Sequence, residues 1–321
     1  MNENIKIENL KVHFKTKLGN VRAVDDVSLE LEKGKVIGLI GETGSGKSVL
    51  GLSILRLLAD NAVVSGKIIY KETDLLDLDI RKMVGLRGKE IALVPQNPGT
   101  ALNPIMRVGK QVAEGIILHE KASKKQALGR ILNLMKKFML DTSVLGTYPF
   151  ELSGGMKQRV LATMGISCNP IWLIADEPTK GLDAIVRGQV YETFNKIKCK
   201  NDMGMLLITH DLILAKRLCH RIAVMYAGDI LEIGSSKEIL ENPQHPYTKG
   251  LVDSQPHRNL SPMIGSSPSL IDPPKGCKFH PRCEYAMGRC YLKKPLLYNT
   301  TMGSKARCFL FDKAGKGNKG I

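Results

Sequence analysis

Short apolar runs recur along the chain with spacings that suit a buried parallel sheet. They are Val36–Ile40, Ile91–Val94, Ile171–Ala175, Met205–Thr209 and Ile222–Tyr226. Each has the length and composition of a strand that is covered on both faces. The segments between them are long enough for helices. The pattern therefore predicts an α/β fold with a parallel sheet.

Helical segments follow from the remaining pattern. Lys47–Leu58 comes directly after a glycine-rich turn and is predicted to be a helix. Val108–Leu145 lacks strand signals, which indicates a helical insertion, and we expect a helical subdomain over about residues 100–160. Pro, Ser and Gly accumulate after residue 254 and are typical of a linker. The predicted organisation is a large domain over residues 1–253, a linker over 254–276, a small extension over 277–312 and a disordered tail over 313–321.

Length and hydropathy limit where the chain can act. Its 321 residues allow one large domain and a small one. No apolar run approaches the roughly 18 residues that a membrane helix needs. The first residues, Met1–Lys17, mix charges with apolar positions and show no signal-peptide core. We expect a cytoplasmic chain, for which any role in membrane transport requires a separate membrane partner.

The charge is strongly basic. The formal net charge is +16, and residues 251–321 carry half of it. Such a surplus suits an anionic partner, either nucleic acid or anionic lipid, but it also suits simple solubility. Aromatic residues do not alternate with the basic ones, which disfavours a platform for stacking nucleic-acid bases.

A phosphate-binding loop follows the first apolar run. The motif G-x-x-x-x-G-K-S is formed by Gly41, Glu42, Thr43, Gly44, Ser45, Gly46, Lys47 and Ser48. Glycines let backbone N–H groups turn toward phosphate oxygens, and the following helix adds its positive end. Lys47 is expected to reach the β- and γ-phosphates, and Ser48 to bind Mg²⁺. The motif predicts a nucleotide site for ATP or GTP.

Two adjacent acids end another buried strand. Asp176 and Glu177 follow the run that begins at Ile171. In a nucleotide hydrolase, the first acid would hold the Mg²⁺ shell and the second would orient and polarise the attacking water. The pair therefore predicts hydrolysis in addition to binding.

Several segments resemble the motifs of ABC-type ATPases, in the order of that family. Leu152–Arg159 resembles the signature motif, and Val94–Gln96 looks like the Q-loop. Thr179–Asp183 looks like the D-loop, and Thr209–Asp211 contains the counterpart of the switch histidine. Phe14 stands where the family places an aromatic residue that stacks on adenine, with His13 as a weaker candidate. The resemblance implies an ABC-type P-loop ATPase core that uses ATP.

The resemblance also implies how these residues act. In this family two ATPase domains face each other and enclose ATP between one phosphate loop and the other domain's signature. Ser153, Gly154 and Gly155 would then contact the γ-phosphate that is bound to the partner. Gln96 would sense the γ-phosphate and Mg²⁺, and His210 would hold the γ-phosphate and the water.

Further segments of the sequence are similar to one branch of the family, the ATPase subunits of oligopeptide, dipeptide and nickel importers. The signature continues with Met156, the Q-loop continues through residues 97–104, and residues 245–251 and 275–283 match that branch's C-terminal extension. The resemblance implies two membrane-spanning permease subunits, a second related ATPase, an extracytoplasmic solute-binding protein and a peripheral position on the cytoplasmic face of the membrane. It leaves the transported solute open.

Four of the seven cysteines lie close together near the C-terminus. Cys277, Cys283, Cys290 and Cys308 follow the spacing C-x5-C-x6-C-x17-C, which has no C-x-x-C pair. Spacing alone leaves zinc, an iron–sulfur cluster and free thiols open. The resemblance implies a 4Fe–4S cluster on these four residues, in a segment too short to bury a core of its own.

The main alternative is a soluble ABC ATPase that acts on ribosomes or nucleic acid. Such proteins usually carry two ATPase domains in one chain, whereas this chain has one phosphate loop and one signature. A regulator that only binds nucleotide is a third possibility, and the presence of Lys47, Asp176, Glu177 and His210 argues against it.

Two surface contacts are also expected from the resemblance. A permease helix should dock around residues 96–106, where the apolar candidates are Ala101, Leu102, Ile105 and Met106. The D-loops of two domains pass each other near the dimer axis, where Lys180 would meet its own copy in a homodimer. Since like charges repel, we expect a heterodimer.

Overall fold

The computed structural model describes residues 2–255 and 263–312. The predicted tail over 313–321 and part of the predicted linker, residues 256–262, lie outside the described residues. The strands are β1 (Ile5–Thr16), β2 (Gly19–Leu31), β3 (Val36–Ile40), β4 (Ala62–Tyr70), β5 (Thr73–Asp74), β6 (Ile91–Val94), β7 (Trp172–Asp176), β8 (Gly204–Ile208), β9 (Arg221–Tyr226), β10 (Asp229–Ser235), β11 (Tyr298–Asn299) and β12 (Lys305–Ala306).

Helices occupy most of the segments between the strands. They are α1 (Lys47–Ile54), α2 (Ile80–Leu86), α3 (Pro98–Ala101), α4 (Val108–Glu120), α5 (Lys124–Lys137), α6 (Gly154–Gly165), α7 (Ala184–Asn201), α8 (Leu212–Leu218), α9 (Ser236–Glu241), α10 (Pro246–Asp253) and α11 (Gly288–Leu292). The α/β class predicted from the sequence is confirmed. The five predicted strands are present within one residue of their expected bounds, and α4 and α5 lie in the predicted helical segment.

The chain forms two compact units. Unit 1 comprises residues 2–5, 31–36 and 70–208. Unit 2 comprises residues 6–30 and 37–69 together with the described part of 209–312.

The core of unit 1 contains three parallel strands. β6 pairs with β7, and β7 pairs with β8, so that Asp176 stands beside Ile208 at the carboxyl end. Trp172 is fully buried in β7, and its indole N–H donates to the Glu3 carbonyl at 2.7 Å. A Cβ atom on Gly204 would lie 2.6 Å from that indole, so only glycine fits in β8 beside it. This packing fixes the strand that carries the acid pair.

Unit 2 contains a mixed sheet, because antiparallel strands that were not predicted join the predicted parallel ones. β3 pairs with β9 in parallel, but β10 runs antiparallel to β9 after a tight turn at Ala227 and Gly228. The short strand β12 then pairs with β10, and β11 pairs with β12, both antiparallel. The cysteine-rich segment, residues 277–312, contains β11 and β12 and is thereby joined to the sheet of unit 2. A second sheet of this unit has the order β2, β1, β4.

Helix α1 is shorter than predicted. It ends at Ile54, and Arg56 adopts a left-handed backbone with φ of 52°. That conformation stops the helix before Leu58 because helical residues need negative φ values.

Candidate functional site

The phosphate loop of unit 2 has a shape that only glycine permits. Gly41, Gly44 and Gly46 have φ values of 149°, 80° and 101°. A Cβ atom on Gly41 would lie 2.0 Å from the Met225 carbonyl oxygen, and one on Gly46 would lie 2.0 Å from that of Ala23. The loop thus lies directly against neighbouring backbone and then opens into α1 at Lys47.

Lys47 closes this loop from within. Its ammonium group donates to the carbonyl oxygens of Gly41 and Glu42 at 2.9 and 2.7 Å, and to the Ser45 hydroxyl at 3.3 Å. The residue is only 8% exposed. A positive charge at the start of a helix, inside a ring of backbone groups, suits a phosphate.

The acid pair lies in unit 1 at the end of β7. Asp176 and Glu177 are buried, with 6% and 8% exposure. Glu177 has a φ of 48°, a left-handed conformation that costs a non-glycine residue roughly 1–3 kcal/mol. Its N–H donates to the Ile208 carbonyl at 2.9 Å, so the neighbouring strand holds the turn in place. Backbone strain at an acidic residue is a common property of catalytic positions.

The signature segment in unit 1 is open to solvent. Ser153 caps α6, where its hydroxyl accepts from the Met156 N–H at 3.3 Å. Ser153 and Gly154 are exposed, and nothing lies within 4 Å of the position of a Cβ atom on Gly154. A Cβ atom on Gly155 would lie 3.0 Å from the side chain of Leu182 in the D-loop segment. This helix start can receive an anion from outside the chain.

The remaining predicted residues are divided between the units. In unit 1, Gln96 is exposed just after β6. In unit 2, His210 is exposed after β8, and Phe14 is half-buried on β1. Its neighbour His13 lies 3.9 Å from Asp25, and burial lowers the pKa of His13 despite that carboxylate.

One expectation about the docking surface is wrong. Leu102 is only 2% exposed, so it belongs to the core of unit 1 and does not line a surface groove. Ile105 is 85% exposed and, with Met106, lines an open groove of about 490 Å³. The other residues of the groove are Asn103, Arg107, Lys110 and Tyr148.

The four C-terminal cysteines all belong to unit 2. The Cys277 N–H donates to the Cys290 carbonyl at 2.8 Å. Burial, with a smaller contribution from the neighbouring thiols, raises the pKa of Cys277 to about 12 and that of Cys308 to about 11. Yet in the part of the chain that the structure describes, no three His, Cys, Asp or Glu residues form a group that could hold a metal ion. The iron–sulfur cluster implied by the resemblance is therefore not supported by this arrangement.

Two lysines that the sequence did not single out hold the cysteine-rich segment in place. Lys278 is 5% exposed and lies 2.9 Å from the Asp25 carboxylate and 3.5 Å from that of Asp229. Lys294 donates to Asp229 at 2.7 Å. Burial alone would raise the pKa of Asp25, but the hydrogen bond and charge of Lys278 lower it overall. No local sequence signal marks these pairs, because both lysines lie far along the chain from Asp25 and Asp229.

Comparison with known proteins agrees with this geometry. Residues 24–180 match the model of the ABC transporter family, and residues 231–290 match that of the oligopeptide/dipeptide transporter C-terminal region. The dipeptide transport ATP-binding protein DppD of Bacillus subtilis is 42% identical over 299 residues, which cover 90% of this chain and 89% of DppD. The oligopeptide transport ATP-binding protein OppD of Haemophilus influenzae is 37% identical, with 97% of this chain and 98% of OppD covered.

The solved structure of the dimeric bacterial ABC transporter cassette MJ0796 has the same fold. It superposes with a TM-score of 0.67 and 25% identity over 72% of this chain and 98% of the cassette. The family predicted from the motifs is confirmed. With a relative as similar as DppD aligned over most of both sequences, the chain belongs to the family of ATP-binding subunits of ABC-type oligopeptide and dipeptide transporters.

Proposed function

We propose that this chain hydrolyses ATP and thereby powers the import of peptides or related small solutes through separate membrane subunits. The observation that carries the proposal is the phosphate loop, which turns at three glycines with positive φ and whose Gly41 and Glu42 carbonyls accept from the ammonium group of Lys47. Peptide as the solute is supported by the names of the relatives, which are dipeptide and oligopeptide transport proteins.

The residues of unit 2 are proposed to bind the nucleotide. Lys47 neutralises the β- and γ-phosphates, and Ser48 supplies a hydroxyl to Mg²⁺. The backbone of the loop, Gly41–Gly46, surrounds the phosphates. Phe14 stacks on adenine, and His210 holds the γ-phosphate and the attacking water.

The residues of unit 1 are proposed to carry the metal and the reaction. Asp176 would be a ligand of Mg²⁺, and Gln96 would sense the metal and the γ-phosphate. Glu177 orients and polarises the attacking water. Its buried, strained position supports this role, because a carboxylate held in one orientation acts on a fixed water.

The signature is proposed to act on ATP that is bound to a second ATPase. Ser153, Gly154 and Gly155 then contact the γ-phosphate of the partner, which fits the solvent exposure of Ser153 and Gly154 at the start of α6. The dimeric state of MJ0796 supports pairing in general. Lys180 is exposed, and we propose a heterodimer because two copies of this lysine at a shared axis would repel.

One of two permease subunits is proposed to dock a helix on the groove lined by Ile105 and Met106. An exposed isoleucine beside Arg107 and Lys110 offers an apolar contact with a basic rim. No helix of the described residues is long and apolar enough to cross a membrane. We place the chain at the cytoplasmic face of the membrane, with an extracytoplasmic solute-binding protein as an indirect partner. Both relatives named above are transport proteins, so nothing favours action on ribosomes or nucleic acid.

The extension over residues 277–312, after the linker 254–276, is proposed to bind a 4Fe–4S cluster through Cys277, Cys283, Cys290 and Cys308. The backbone bond from the Cys277 N–H to the Cys290 carbonyl, which brings two of the four cysteines together, supports the choice of ligands. The described side chains must rearrange to do so. Protein purified without oxygen should contain about four irons per chain. One tightly held zinc would keep the site but reject iron, and metal-free protein would reject both.

The ATPase assignment is tested with Glu177→Gln. The variant should bind Mg-ATP like the wild type in calorimetry, because the carboxylate acts on water and not on the nucleotide. Its hydrolysis in the assembled transporter should fall at least about a hundredfold, the contribution typical of a positioned general base. Hydrolysis at the wild-type rate would refute the role of Glu177.

A further inference from the structure

The second residue of the phosphate loop is held by side chains that come from far along the chain. The Glu42 N–H donates to the Tyr247 hydroxyl at 2.9 Å. The Glu42 carboxylate accepts from Arg282 at 3.0 Å and also from the Ser267 hydroxyl. All of these residues belong to unit 2.

Arg282 is itself fixed in one orientation. Its Nε donates to the Ile264 carbonyl at 3.0 Å, and its Nη1 lies 3.4 Å from the Tyr226 hydroxyl. The guanidinium stands 5.7 Å from the Tyr226 ring centre and 5.8 Å from that of Phe279. The side chain is only 6% exposed. The pair with Glu42 is therefore a charge-assisted bond of defined geometry, unlike a mobile surface ion pair.

The aromatic residues around Arg282 also reach the other bond to Glu42. Tyr226 and Tyr247 pack with ring centres 4.6 Å apart, and Phe279 lies 5.4 Å from each of them. Movement of Arg282 would therefore disturb Tyr247, which accepts the Glu42 N–H.

Glu42 is thus fixed on two sides. Lys47 holds its carbonyl from within the loop at 2.7 Å, and Arg282 and Tyr247 hold its carboxylate and N–H from outside. A loop with three glycines has many conformations in a free chain. Restricting it in advance lowers the cost of ordering it around a phosphate.

We infer that Arg282 is a positioning residue for nucleotide binding, which acts through Glu42 on the conformation of the phosphate loop. The inference rests on the proposed ATP site. It makes the cysteine-rich segment, in which Arg282 precedes Cys283, a structural part of that site.

The test is the affinity of the full chain for Mg-ATP, measured by calorimetry for Arg282→Gln. We expect the dissociation constant to rise roughly fivefold, since a smaller fraction of loops is ready to bind. Arg289→Gln is the matched control. Arg289 also contacts a carboxylate, that of Asp312, and a ring, that of Phe309, but it makes no contact with the loop in the structure. Its affinity should equal the wild type.

Two further measurements separate positioning from charge and from general destabilisation. In 0.5 M salt, exposed charges more than about 4 Å apart are largely screened. The dissociation constant of Arg282→Gln should nevertheless remain about fivefold above that of the wild type. In a Glu42→Gln background, Arg282→Gln should change the affinity less than about twofold, because the coupling partner is gone. In the assembled transporter, the KM for ATP should rise while kcat stays within about twofold.

An Arg282→Gln chain with wild-type affinity for Mg-ATP would overturn the inference. So would equal dissociation constants of the variant and the wild type in high salt. The inference would also be overturned if Arg282→Gln lowered the affinity for Mg-ATP as much in the Glu42→Gln background as in the wild type. If Arg282→Gln does not fold, Arg282→Lys keeps the charge but cannot reach Ile264 and Glu42 together, so its affinity should fall roughly threefold. A wild-type affinity of the lysine variant would refute positioning. Failure of the wild type itself to bind ATP would refute the proposed function instead.

Discussion

The phosphate loop and the signature segment are both helix starts suited to an anion, yet they are built in opposite ways. The loop is closed: Gly46 leaves no room for a methyl group, and Lys47 is almost fully buried. The signature is open: Ser153 and Gly154 are exposed, and Gly154 has free space around it. The contrast supports the proposal that the phosphate loop binds phosphate within this chain, whereas the signature acts on a nucleotide that is bound to a second ATPase.

The largest expected effect on stability and ATP binding comes from a substitution in the closed phosphate loop. Gly46→Ala must place a Cβ atom 2.0 Å from the Ala23 carbonyl at a φ of 101°. We expect a loss of about 2–4 kcal/mol in the free energy of unfolding and no measurable ATP binding in calorimetry.

Gly154→Ala is its counterpart in the open site. It should keep the wild-type stability in urea unfolding, because nothing lies within 4 Å of the new methyl group. Equal stability of the two variants would contradict the contrast.

A second comparison concerns two apolar residues beside the Q-loop. Leu102→Asp buries a carboxylate at a position that is 2% exposed, and should cost about 3 kcal/mol of unfolding free energy. Ile105→Asp changes a residue that is 85% exposed and should alter stability by less than about 0.5 kcal/mol. In the assembled transporter, Ile105→Asp should lower peptide uptake per ATP hydrolysed. Unchanged uptake would place the permease contact elsewhere.

The smallest effect concerns pairing. Lys180→Ser removes a charge from the D-loop and should strengthen ATP-dependent self-association of this chain by roughly threefold, since like-charge repulsion is partly screened. Analytical ultracentrifugation with ATP and the Glu177→Gln background measures it. No gain would remove Lys180 from the explanation of heterodimer formation, and two copies of this chain per purified transporter would refute the heterodimer.

The local parts of the fold were predictable from the sequence. The strand, turn and helix around Lys47 follow from neighbouring residues, as does β7 with its acid pair. The strand β1 was missed although its alternating pattern, buried at Ile5 and Ile7 and exposed at Lys6, is visible in the sequence. Leu102 was misjudged because an apolar residue in a loop gives no sign of whether it turns inward.

Contacts over long distances were not predictable. Short strands such as β12 have two residues and no periodic signal, so their pairing with β10 depends on the tertiary fold. The bond between Glu42 and Arg282 joins positions that are 240 residues apart. Each residue alone resembles an ordinary surface charge, and only the folded chain shows that they meet.

ATP-driven peptide uptake by the complete transporter in proteoliposomes tests the central claim most directly. With the wild-type chain, peptide should accumulate when ATP is supplied on the side of the ATPases. With Lys47→Ala in this chain, uptake should fall to the level without ATP, because the γ-phosphate loses its buried cation. Full uptake with Lys47→Ala, or with a non-hydrolysable ATP analogue, would contradict the account.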